Sequence, residues 1–170
     1  MITLAPTEKL FYRLLILLST LSLLFTLPLD VIDIDSSQYA EIARQMFHSG
    51  DFFTLIDNGR RYLDKPIFTF WTIATSFKLF GMGNIAFRIP AILLSFLSAY
   101  SIYRITILLW KNERQGYLAA IIYLITPGFY AMVVDPKIDV YLVSYLVFTH
   151  HFYYLGKKEN PNYYYLMYLM

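Results

Sequence analysis

Residues 85–110 read IAFRIPAILLSFLSAYSIYRITILLW, 26 residues with two charges, Arg88 near one end and Arg104 near the other. A helix of that length spans the roughly 30 Å hydrocarbon core of a bilayer, and each arginine sits where its long side chain could snorkel to a headgroup layer. Three further apolar runs flank it. Residues 10–29 hold 20 residues with Arg13 as their one charge, residues 117–134 are 18 uncharged residues, and residues 140–156 are 17 more. The first of these ends in Leu27-Pro28-Leu29-Asp30 with no small-x-small cleavage signal, and it exceeds the usual length of a signal-peptide core, so it reads as a retained anchor. Pro127-Gly128 is expected to kink or break the third run. An aromatic stretch at residues 163–170 begins a further helix. The expected fold class is therefore all-α and integral to the membrane, a single unit with about four transmembrane helices.

Composition agrees. The 170 residues are 58% apolar and 15% charged, where a soluble domain is about 45–50% apolar and about 25% charged. There is no cysteine, which excludes disulfides, a thiol nucleophile and a thiolate zinc site. A net charge of +2 and no basic run longer than two residues argue against a nucleic-acid partner. Lys9, Arg13, Lys111, Arg114, Lys157 and Lys158 all fall on one side of this topology, which the positive-inside rule makes cytoplasmic, together with the N-terminus. Residues 30–84 and the turn at residues 135–139 then share the opposite, non-cytoplasmic face. Many of the 16 tyrosines, Tyr103, Tyr117, Tyr141, Tyr153 and Tyr154 among them, fall near span ends, as interfacial belts do.

The segment 30–84 differs in character, with seven acidic and five basic residues and turn signals at residues 49–51, 57–59 and 81–84. Tyr39, Ile42, Ala43, Met46 and Phe47 recur at helical spacing and predict an amphipathic helix stopped at Gly50, resting at the membrane interface or on the helix bundle. Residues 66–77 are 12 uncharged residues led by Pro66, too short to span, and predict an interfacial or re-entrant helix with proline at its first position.

Three polar clusters thus reach one membrane face: Asp33 with Asp35, Asp64 with Lys65, and Asp135 with Lys137 and Asp139. Carboxylates at a low-dielectric boundary are costly unless paired, hydrogen-bonded or cation-bound, so their grouping points to a site. Each also has a structural reading. Asp35 directly precedes the expected helix and could be its N-cap, Asp64-Lys65 an exposed ion pair, Asp135-Pro136 a turn, and Lys137 with Asp139 a surface pair. His150-His151 lie about 100° apart on a helix near the cytoplasmic end, which favours aromatic packing over metal binding.

In order along the chain, Asp35-Ser36-Ser37-Gln38-Tyr39-Ala40-Glu41-Ile42-Ala43-Arg44-Gln45-Met46, Gly50-Asp51, Arg61-Tyr62-Leu63-Asp64-Lys65-Pro66, Trp71, Phe80-Gly81 and Arg88-Ile89-Pro90 closely resemble the amino-terminal part of polyprenyl-phosphate-sugar-dependent membrane glycosyltransferases. These are the family 39 protein O-mannosyltransferases and, closer still, the aminoarabinose-type transferases that modify lipid A. The resemblance implies a GT-C-type multi-spanning helical bundle whose first non-cytoplasmic loop carries the catalytic acid. It places Asp35 on the family's catalytic aspartate, as base or charge partner of the acceptor. Asp64 falls on an acid associated with a divalent metal cation, Lys65 on a lysine associated with the donor phosphate, and Asp135 on a later catalytic-face aspartate at the outer membrane boundary, with Asp139, four residues on, as the competing match. Ser36 stands where the family commonly has glutamate, and Ile67 where it has a second proline.

The activity so implied is an inverting transfer of a sugar from a polyprenyl-phosphate donor to lipid A, a related envelope glycan or a protein, in contact with membrane lipid. Family members have many more spans, so these residues are expected to be an incomplete unit, inactive alone. The alternative is a truncated, noncatalytic membrane remnant or interaction subunit.

Overall fold

The computed structural model describes residues 3–170. Its elements in chain order are α1 (Pro6–Leu24), α2 (Ile34–Ser49), β1 (Ile56–Asp57), β2 (Arg60–Arg61), α3 (Ile67–Phe80), α4 (Asn84–Trp110), α5 (Glu113–Ile125), α6 (Pro127–Val134), α7 (Ile138–Lys158) and α8 (Tyr163–Leu169). The fold is helical, with one departure from all-α. β1 and β2 form an antiparallel hairpin pairing Ile56 with Arg61 and Asp57 with Arg60. Its two-residue turn puts Asn58 at φ 49° and Gly59 at φ 76°, the positive values that a type I′ turn needs at both centres. Strands of two residues leave no period-two pattern, so only the turn was legible.

Among the described residues, α4 is the one helix that alone is long and apolar enough to cross a membrane. Helices α5 and α6 pass together as a pair bent by 56° at Thr126, where Pro127 starts α6 without an amide donor for the preceding turn. The run expected over residues 10–29 is helical to Leu24 and then winds through turns. Pro28 disfavours the helical conformation of Leu27, and the Thr26 hydroxyl donates to the Leu23 carbonyl at 2.7 Å. Within α4, Pro90 has no N–H for the carbonyl of Ala86, and the buried Ser76 hydroxyl of α3 donates to that oxygen instead, at 2.6 Å.

The main core lies where segment 30–84 meets the bundle. The predicted stripe of α2 buries Tyr39, Ile42, Ala43 and Met46 against Phe70, Ile73, Ala74 and Phe77 of α3. Each large apolar side chain so buried contributes about 1.5–3 kcal/mol. Phe87 and Ala91 of α4, Val133 of α6 and Ile138, Val140 and Tyr141 of α7 complete the cluster. Helix α2 stops at Gly50, whose φ of 70° is the left-handed value of a C-terminal cap. Pro66 is the residue before α3 rather than its first residue, with Ile67 opening the helix.

Candidate active site at the start of helix α2

Asp33, not Asp35, is the N-cap of α2, and its carboxylate accepts a hydrogen bond from the Asp35 N–H at 2.8 Å. The extended strip expected through Asp35 ends at Asp33 because Ile34 already takes the helical conformation. Asp35 therefore lies in the first helical turn, where its charge faces the positive end of the helix dipole.

Lys137, in the turn between α6 and α7, reaches both carboxylates. Its Nζ donates to Asp33 and, at 3.2 Å, to Oδ2 of Asp35. The expected pair with Asp139 does not form. Asp139 sits exposed in the first turn of α7, while Lys137 turns to the two aspartates that α2 presents. The bond from Lys137, with that from the Asp35 N–H, holds the Asp33 carboxyl below its ordinary value. Burial alone would lower Lys137, but its bonds to Asp33 and Asp35 outweigh it and raise the ammonium.

Asp135 closes the arrangement from the other direction. Its Oδ2 accepts the N–H groups of Asp33 at 2.6 Å and Ile32 at 3.3 Å, and its own carbonyl accepts from the Ser36 hydroxyl at 3.3 Å. Residues about a hundred positions apart in the chain thus form one ring: Asp135 holds the backbone leading into α2, and Lys137 holds the carboxylates at its start.

Beneath the ring lies Arg88, only 1% exposed. It does not snorkel as expected. Its guanidinium donates to the carbonyls of Val134 at 2.7 Å, Asp30 at 3.0 Å and Leu29. Asn84 adds a bond to the Asp30 carboxylate at 2.8 Å.

Asp64 and Lys65 stand exposed between the hairpin and α3, with no hydrogen bond or ion pair to another of the described residues, so the loop ion pair considered for them is absent. Lys65 lines an open cleft of about 270 Å³ with Arg61, Tyr62 and Thr54. Tyr62 links this element to the ring. Burial first, and then the charges of Asp64, Asp35 and Asp57, raise its hydroxyl above the ordinary value. Tyr39 is pushed up to about 12 by burial, then by Asp35 and Tyr62. The Gln38 amide pins the hairpin to α2 by donating to Asp57 at 2.7 Å. Among the described residues no group of three or more His, Cys, Asp or Glu is placed to hold a metal ion. His151 packs inside the bundle, its Nδ1 3.0 Å from the Ser101 hydroxyl.

Of the candidate residues, Asp35 and Asp135 meet in one network, Asp64 lies within electrostatic reach of it across Tyr62, and Lys65 lines the neighbouring cleft. Lys137 and Arg88 were missed as site residues. A lysine two residues after Asp135 and an arginine inside an otherwise apolar run were the available signals.

The sequence profile of the dolichyl-phosphate-mannose-protein mannosyltransferase family matches residues 64–170. The undecaprenyl phosphate-alpha-4-amino-4-deoxy-L-arabinose arabinosyl transferase of Yersinia enterocolitica is 38% identical over 148 residues, which cover 84% of this chain and 26% of that protein. The transferase of that name from Yersinia pestis is 37% identical over 131 residues, 74% of this chain and 23% of its own length. The crystal structure of ArnT from Cupriavidus metallidurans in the apo state superposes with a TM-score of 0.82 at 21% identity, covering 92% of this chain and 30% of that one. The same protein bound to undecaprenyl phosphate gives 0.80 at 24% identity, with 92% and 28% covered. The chain therefore shares the fold of part of ArnT and spans about a quarter of the length of the curated relatives it matches.

Proposed function

The chain belongs to the dolichyl-phosphate-mannose-protein mannosyltransferase family, and from that premise we propose that it forms the acceptor-side site of a multi-spanning membrane glycosyltransferase. The donor is a sugar on a polyprenyl phosphate of the undecaprenyl type, and the acceptor is lipid A or a related envelope glycan. One observation carries the assignment of roles: of the three carboxylates in the ring, Asp35 is the most exposed and the least engaged, with the Asp33 side chain 45% exposed but bound to the helix cap and to Lys137. The Asp35 side chain is 61% exposed and holds only Lys137. Asp33 is committed to the helix cap and Asp135 to two backbone amides.

In the proposed reaction the acceptor oxygen attacks the anomeric carbon as the bond from that carbon to the donor phosphate breaks, which inverts the centre. Asp35 takes the proton of a hydroxyl acceptor, or orients the acceptor through its charge. The polyprenyl phosphate departs with the bonding pair, and Lys65, free of any carboxylate partner in its cleft, meets the charge that develops there. Asp135 and Lys137 position Asp35 and do not touch the reacting atoms. Four crossings, with residues 30–84 and the turn at 135–139 on the non-cytoplasmic face, are part of the proposal.

The test is transfer of label from an undecaprenyl-phosphate-linked sugar to lipid A in membranes carrying the longest in-frame product that contains residues 1–170. Lys65→Ala is expected to raise the donor KM at least tenfold. An unchanged donor KM together with an unchanged rate removes the phosphate role.

A further inference from the structure

Arg88 is a buried cation with no carboxylate ion pair among the described residues. Removing a guanidinium from water is tolerated only when its donors are met, and here three main-chain carbonyls meet them. Two of those carbonyls, Leu29 and Asp30, belong to the linker that leads into α2. The third, Val134, is the last residue of α6, next to Asp135. The planar fork of arginine can bond two separate strands of chain at once, whereas the single nitrogen of lysine cannot reproduce that geometry.

We infer that Arg88 is a positioning residue that sets the distance between the two halves of the ring, and hence the place of Asp35. The functional part of this inference rests on the role proposed for Asp35. The backbone at 29–30 and the backbone at 134 share no main-chain hydrogen bond across the described residues, and Arg88 joins them. Among the described residues the other polar ties between the two halves are the side-chain bonds of Asp135, Lys137 and Ser36, of which those of Asp135 to the Asp33 amide and of Ser36 are part-buried and that of Lys137 to Asp35 is exposed. With Arg88 in place those contacts close over a fixed base. Without it the entry to α2 is free to swing relative to the α6–α7 turn, and Asp35 loses a defined position while α2 stays packed on α3.

Because the chain has no cysteine, site-directed nitroxides report this directly. One label pair goes on Ile32→Cys and Asp139→Cys, which flank the ring and are exposed. A control pair goes on Trp110→Cys and Tyr153→Cys, exposed positions on α4 and α7 away from it. Pulsed electron–electron resonance on the purified chain in detergent is expected to give a narrow distance for both pairs in the parent. In Arg88→Lys the Ile32–Asp139 distribution at least doubles in width while the control pair is unchanged. In the transfer assay the same variant loses at least tenfold in kcat with the donor KM within threefold.

A narrow Ile32–Asp139 distance in Arg88→Lys overturns the inference, and so does broadening of both pairs, which makes Arg88 a residue of the general fold. Arg88→Gln, which keeps a planar donor, is read in the same way if the lysine variant does not accumulate. The distance measurement needs no transfer activity. Broadening at the ring with unaltered kcat therefore sinks the role of Asp35 and leaves the clamp standing.

Discussion

Asp35→Asn separates a catalytic carboxylate from a structural one. The substitution keeps side-chain size and one acceptor oxygen, and replaces the other oxygen and the charge by an amide NH2 that cannot take up a proton. Asp35 has one polar side-chain contact, to Lys137 at 3.2 Å, and its side chain is 61% exposed. An ion pair that open to solvent contributes about 0.2–1 kcal/mol to stability, so the variant should fold nearly as well as the parent. A positioned base contributes about 10²- to 10⁴-fold in rate, which at 1.36 kcal/mol per decade is about 3–5 kcal/mol. The rate loss should therefore exceed the stability loss several-fold. The assay is the initial rate of label transfer in membranes, paired with thermal unfolding in detergent followed by the fluorescence of Trp71 and Trp110. Asp33→Asn is the control: asparagine caps a helix as well as aspartate does, so its rate should fall less than tenfold. Transfer by Asp35→Asn within threefold of the parent, or an Asp33→Asn defect as large as its own, refutes the assignment of Asp35.

Three further outcomes follow from the same geometry. The bond from Lys137 holds the Asp33 carboxyl below the ordinary aspartate value, so its contribution to stability is fully present above that ordinary value and is lost as the pH falls through the lowered folded value. Unfolding midpoints measured from about pH 5 down to about pH 1, the range over which a lowered aspartate takes up its proton, should fall less steeply in Lys137→Met than in the parent. Gly50→Ala forces a side chain into φ 70° at the end of α2 and should cost about 1–2 kcal/mol by denaturant unfolding, with Gly50→Asn costing less. Asp57→Cys and Lys137→Cys should react with a membrane-impermeant maleimide from the same, non-cytoplasmic side, and labelling from opposite sides rejects the proposed topology.

What was legible in the sequence is what local chemistry dictates. The stripe Tyr39, Ile42, Ala43 and Met46 announced α2 and its buried face, Gly50 its end, and Pro127 the break between α5 and α6, because periodicity, left-handed caps and missing amides act within a few residues. The pairing of Lys137 was not legible. Asp139 is its neighbour in sequence, whereas Asp33 and Asp35 become its partners only after the chain returns across about a hundred residues. The N-cap was misplaced by two residues for a related reason: either aspartate could cap α2, and the hold of Asp135 on the Asp33 amide fixes where the extended strip ends. Arg88 was misread through its position near the end of an apolar run, where snorkelling is the ordinary outcome. Three carbonyls gathered from two distant segments make burial the better one here.

These corrections share one physical cause, and it bears on how the site works. Lys137, the N-cap of α2 and Arg88 all concern charged groups whose partners come from the contact between residues 29–35 and 134–137. Charges at such a contact are desolvated by the fold and can be satisfied only by the opposite segment, so the polar residues that local patterns leave ambiguous are the ones that fix the tertiary arrangement. Asp33, Lys137 and Arg88 are met in that way, while Asp135 binds two amides through Oδ2 and leaves Oδ1 buried without a hydrogen bond among the described residues. Among the described residues Asp35 shares only Lys137 and projects outward, as a base must if it is to reach an acceptor, and Lys65 is without an ion pair, as a phosphate clamp must be before its donor arrives. Asp35 and Lys65 thus supply one exposed anion and one exposed cation, the pair that a displacement between an acceptor oxygen and a leaving phosphate requires.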